Sequence, residues 1–62
     1  MKNNIAAIRK SKGLSQVDFA AKVGISGNWL NHIERGRRKP SLTVLENIAE
    51  KLNVSLNDIF LK

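Results

Sequence analysis

The amino-acid sequence predicts a small all-α domain of five helices, and three observations predict it. Apolar residues recur at helical spacing in successive short stretches. These stretches are bracketed by residues that start and stop helices, with asparagine or serine before them and glycine or asparagine after them. No strand pattern interrupts them, and the connections are short.

Taken in order, Asn3 or Asn4 caps a first helix, in which Ile5 and Ile8 share one face with Arg9, Lys10 and Lys12 around them. Gly13 suits the position just past its end, where the lysines favour the negative end of the helix dipole. Leu14 bridges into the core. Ser15 with Asp18 is a capping-box pattern, with Asp in place of the usual Glu, and starts helix 2 at about Gln16–Val23. Phe19, Ala20 and Val23 form its buried face, and Gly24 stops it. Ser26 caps helix 3, about Gly27–Arg35, and Gly36 ends it. After the loop Arg37-Arg38-Lys39-Pro40, Ser41 caps helix 4 over Leu42–Leu52. Its apolar face is Leu42, Leu45, Ile48, Ala49 and Leu52, with Glu46, Glu50 and Lys51 outside. Asn53 suits the helix end. Ser55 with Asp58 repeats the capping box and opens a short helix 5, from Leu56 to about Leu61.

Composition bounds what such a domain can do. Sixty-two residues make one domain, spanning residues 1–62, with one compact core. There is no cysteine, so neither a disulfide nor a thiolate metal site is available, and one histidine makes no metal cluster. No apolar run approaches the ~20 residues of a membrane span, and no signal-peptide pattern opens the chain. The expectation is a soluble, cytoplasmic protein. The net charge of +6 is unevenly spread: 9 of the 11 Lys and Arg residues precede Pro40, against 2 of the 5 acids. A basic first part beside a nearly neutral second part suggests an anionic partner for the first.

The segment Gln16–Arg35 carries the most specific pattern. Ala20 is small enough for close approach of the next helix, Gly24 is free to make a turn, and Phe19, Val23, Ile25, Leu30 and Ile33 stand where two crossed helices need apolar contacts. This spacing fits a DNA-binding helix-turn-helix, whose second helix enters the major groove, better than an ordinary αα-hairpin. At ~100° per residue, Leu30 and Ile33 set the inward face of helix 3, Asn28 and Arg35 point nearly opposite, Asn31 and His32 flank them, and Trp29 lies at the border. Asparagine can pair bidentately with adenine, and histidine can donate to guanine N7 or O6. Asn28, His32 and Asn31 lie on the outer side with that capacity. Trp29 can place its indole N–H on a phosphate while packing over helix 2. The cluster Arg35, Arg37, Arg38 and Lys39 supplies charge for the DNA backbone.

Gly13-Leu14-Ser15-Gln16, Phe19-Ala20, Val23-Gly24-Ile25-Ser26, Ile33-Glu34-Arg35-Gly36, Pro40-Ser41-Leu42, Ile48-Ala49, Val54-Ser55-Leu56 and Asp58-Ile59-Phe60 together resemble the Cro/phage-repressor-type (XRE) helix-turn-helix family over essentially the whole chain. The resemblance implies a lambda-repressor-like fold and a sequence-specific transcriptional regulator, a repressor that binds palindromic double-stranded DNA operators as a homodimer. It implies that Gln16 braces against a phosphate and the recognition helix, that Ser26 also touches a phosphate, and that Arg9 and Glu34 pair to tie helix 1 to helix 3. Gly27 departs from the pattern, standing where many relatives carry a long polar side chain. Helix 5 carries four apolar residues in six positions, more than one face can bury, so a dimer interface is expected there, near Asn57, Ile59 and Leu61. Alternatives of the same fold are an antitoxin or a restriction–modification controller. A protein-interaction module that has lost DNA binding is a further alternative, against which Gln16, Asn28 and the basic loop count. No nucleophile–base pair, carboxylate pair or phosphate loop points to an enzyme, and no cofactor, metal or small-molecule ligand is implied.

Overall fold

A computed structural model describes residues 1–60. They form five α-helices: α1 (Ile5–Ser11), α2 (Gln16–Val23), α3 (Gly27–Glu34), α4 (Leu42–Leu52) and α5 (Leu56–Ile59). Serine side chains start four of them. Ser15, Ser26, Ser41 and Ser55 are extended and accept the backbone N–H of Asp18, Trp29, Val44 and Asp58, satisfying one of the donors that a helix start leaves free. The capping box is reciprocal only at Ser55, whose own N–H donates to Asp58 Oδ2 at 3.0 Å. At Ser15 only the forward bond, from the Asp18 N–H to Ser15 Oγ, is made.

The helix ends are also alike. After α1, α2, α3 and α4 the chain closes with paired backbone bonds of the Schellman type, Leu14 N–H to Arg9 O, Ile25 N–H to Ala20 O, Arg37 N–H to His32 O, and Val54 N–H to Ala49 O. The residue at each closure, Gly13, Gly24, Gly36 or Asn53, has positive φ. At Gly24 (φ 85°) this turn folds α3 back across α2.

One core lies behind the α2–α3 pair. Ile5, Phe19, Leu30, Ile33, Ile48, Leu52 and Ile59 are fully buried, and Ala20, at 2% exposure, lets α2 and α3 approach closely. Removing an aliphatic side chain of this size from water stabilises the fold by roughly 1.5–3 kcal/mol. Ile8, Leu14, Ile25, Trp29, Val44 and Val54 pack around this centre.

Three expectations are corrected here. Leu42 is 62% exposed rather than part of the α4 face, because it is the first residue of the helix and burial begins further along, with Val44 and Leu45. Helix 5 stops at Ile59, and Phe60 is extended (φ −79°, ψ 136°) because its backbone pairs with Asn3 in an antiparallel bridge. Ile59 is fully buried in the chain's own core, so it offers no surface to a second protomer. Leu61 lies outside the described residues.

The first residues form a strap across the fold. Asn4 N–H donates to Ile59 O at 2.7 Å and its side-chain amide to Asp58 O at 3.2 Å. The Met1 nitrogen donates to Gly36 O at 2.9 Å, and Asn3 Nδ2 to Ile33 O at 2.9 Å. Among the described residues, no helix is long and apolar enough to cross a membrane.

Candidate nucleic-acid interface

α3 is fastened on its inner side and open on its outer side. Leu30 and Ile33 are fully buried, which fixes the rotation of the helix about its axis. Opposite them Asn28 and Arg35 are exposed, and between these faces Asn31, His32 and Trp29 are half-buried. Asn28 and Asn31 side chains make no hydrogen bond among the described residues, so the donor and acceptor of each amide are available to a base edge. His32 is more constrained. Its Nδ1 is buried without a partner, which leaves Nε2 as the ring nitrogen that a partner can reach. Trp29 packs against the core with part of its ring exposed. Ser26 Oγ accepts the Trp29 N–H at 3.0 Å, and its own hydroxyl proton remains free to donate.

Glu34 faces the protein. Its carboxylate accepts Arg9 Nε at 2.7 Å, Arg9 Nη2 at 3.2 Å and Gln16 Nε2 at 2.9 Å. Arg9 also donates from Nη1 to Leu14 O at 2.8 Å. The Arg9 and Glu34 side chains are 7% and 4% exposed, so the pair is almost wholly removed from water. Two opposite charges held this way, with Arg9 bonded from all three of its side-chain nitrogens, form a clamp that joins α1, the start of α2 and the end of α3. Gln16 thus reaches the recognition helix through Glu34 and keeps its own Oε1 outward.

Beyond α3, Arg35, Arg37, Arg38 and Lys39 are all exposed, and none has a carboxylate partner among the described residues. Four positive groups within five positions cannot neutralise one another, so they raise the local potential beside the open face of α3. Asn57, on α5, is exposed. Two contributions are not read from the sequence, in which Asn47 carries no assigned role and Asn3 is read only as a helix cap. Asn47 on α4 donates from Nδ2 to Val23 O at 2.8 Å, closing the end of α2, and Asn3 holds the end of α3. Both contacts join residues at least 24 positions apart, and the only local signal is an asparagine where an apolar or capping residue would serve.

A sequence model of the family described as Helix-turn-helix matches residues 5–59, from the first buried residue of α1 to the last of α5. This chain belongs to the Cro/phage-repressor-type (XRE) helix-turn-helix family. It is 44% identical over 55 residues to the uncharacterised HTH-type transcriptional regulator YazB of Bacillus subtilis, covering 89% of this chain and 80% of that one. It is equally similar, 44% over 55 residues, to the immunity repressor protein of Bacillus phage phi105, covering 89% of this chain and 38% of the repressor. Among solved structures it superposes on SinR of Bacillus subtilis in complex with DNA, with a TM-score of 0.80, 36% identity and 87% of each chain covered. The helix-turn-helix domain is therefore a DNA-binding transcriptional regulator in an all-α, lambda-repressor-like fold, and its family is one of DNA-binding regulators rather than enzymes.

Proposed function

We propose that the protein is a transcriptional repressor that binds a palindromic operator as a homodimer, with one α3 in each half-site. The observation that carries the reading is the outer face of α3, where unpaired Asn28 and Asn31 and the open Nε2 of His32 stand beside an unneutralised basic loop. Asn28, His32 and Asn31 read bases. Gln16, Ser26, Trp29, Arg35, Arg37, Arg38 and Lys39 hold the phosphate backbone and set the register, while Arg9 and Glu34 keep α3 at a fixed angle. The likeness to the phi105 immunity repressor favours repression by occupying a promoter. A regulator of this kind acts in the cytoplasm, on chromosomal or phage DNA.

Size supports the dimer. Half-sites lie about 34 Å apart, whereas one chain is 27 Å along its longest axis. Two-fold pairing through the α5 end, with Asn57 and Leu61 at the contact, leaves both basic faces directed to the DNA. Sedimentation with a duplex carrying the preferred site tests the reading, together with transcription from a promoter overlapping that site. Two protomers per duplex and reduced transcript are expected. One protomer per duplex would overturn the dimer, and increased transcript would overturn repression.

A further inference from the structure

We propose that Asn3 is a positioning residue for sequence reading, aiming α3 from outside the helix-turn-helix; the proposal rests on α3 being the reading helix. A helix packed by two buried residues is fixed in rotation, but its tilt depends on what holds its ends. At the N-terminal end of α3 this is the Gly24 turn and the Ser26 cap. At the C-terminal end the last carbonyls need donors, and one of them, Ile33 O, receives a donor from the start of the chain. Asn3 Nδ2 donates at 2.9 Å to Ile33 O, which also accepts the Gly36 N–H. The same nitrogen donates to Met1 O at 3.1 Å, keeping residues 1–3 folded over this end.

Asn3 has a second attachment. Its backbone pairs with Phe60, and the neighbouring Asn4 is bonded to Ile59 O and Asp58 O. The amide is thus anchored to α5 and reaches α3 as a fixed arm. Its Oδ1 separately accepts the Ile5 N–H at 3.1 Å, satisfying a free donor at the start of α1. One side chain therefore does two chemically separable things: the oxygen supports α1, and the nitrogen holds α3.

That separation makes the test. Asn3→Asp keeps the acceptor for Ile5 and removes the donor to Ile33 O and Met1 O, and Asn3→Ala removes acceptor and donor alike. Fluorescence anisotropy titrations of wild type, N3D and N3A on the selected site and on random-sequence duplex should show selective affinity falling roughly three- to tenfold in both variants, the scale of one hydrogen bond. Affinity for random DNA should stay within about twofold. N3D should keep near-wild-type urea stability, while N3A loses some. In an N28A background the effect of N3D on selectivity should shrink toward zero, because the mis-aimed contact is already gone.

Unchanged selectivity in folded N3D would overturn the proposal and leave Asn3 as a support for α1. An N3D effect that persists in full with N28A would also overturn it. N28A alone reports on the parent reading: equal loss on both duplexes would overturn reading by α3, and this inference with it. Wild-type protein gives an arm that does not depend on variant folding. The Asn3 side-chain amide protons should exchange slowly and shift on binding the selected site, and rapid exchange would contradict the bond to α3.

Discussion

Gly36 shows how tightly single residues constrain the interface. Its φ is +75°, and a Cβ added there would lie 2.7 Å from Met1 O. A side chain at this position meets both the left-handed backbone cost, roughly 1–2 kcal/mol, and the strap that folds over α3. Gly36→Ala should therefore destabilise the domain by at least about 1 kcal/mol in urea denaturation, and a variant as stable as wild type would show the strap to be loose. Gly27 is the opposite case. It is the first residue of α3 with open space where a side chain would go. Gly27→Gln should fold with equal or slightly greater stability, a few tenths of a kcal/mol, and should add a preference at one base position in binding-site selection. An unchanged site preference would place that position away from the groove.

Elements are held to one another by fewer contacts than their buried faces suggest. Glu34 ties α3 to α1 and α2, and truncating it leaves the nearly buried Arg9 guanidinium without its countercharge. Removing one partner of such a pair costs about 3–5 kcal/mol, against a total stability of roughly 3–9 kcal/mol for a domain of this length. Glu34→Ala should unfold at a much lower urea concentration than wild type by circular dichroism, and a cooperative transition at the wild-type urea midpoint would contradict the clamp. The loop after α3 acts differently. Replacing Arg37 and Arg38 by neutral residues should weaken binding to every DNA sequence and flatten the salt dependence by up to about two units per protomer. An unchanged slope in the titration would turn the loop away from DNA.

The elements were legible in the sequence where the signal is local. Serine caps, glycine stops and apolar spacing located α2, α3 and α4, with α3 ending one residue earlier than expected. What periodicity could not reveal depends on distant partners. Leu42 has helical spacing but nothing beyond the first turn to pack on, and Phe60 left the helix because Asn3 offers its backbone a partner. The outer face of α3 was readable from the wheel, since Leu30 and Ile33 fix its rotation. The long-range holds by Asn3 and Asn47 were not, because no rule of spacing connects an asparagine to a carbonyl at least 24 positions away.

At the scale of the whole molecule, charge is unevenly divided along the chain. The first 39 residues carry most of the positive charge and α3, and the last third carries the nearly neutral α4–α5 part. Burying Ile59 within the protomer leaves Asn57 as the one residue of the proposed dimer contact that is exposed among the described residues, so a modest, concentration-dependent association is expected rather than an obligate one. DNA carrying two half-sites would then do much of the work of assembly. The most direct test is selection of binding sites from random duplex DNA by wild-type protein and by Asn28→Ala. The account predicts an inverted repeat for wild type. For Asn28→Ala it predicts a relaxed preference at one base pair per half-site and a loss of roughly 1–3 kcal/mol per contact on the selected site, with random-sequence affinity retained. Equal loss on selected and random DNA, or no enriched sequence with wild type, would contradict it.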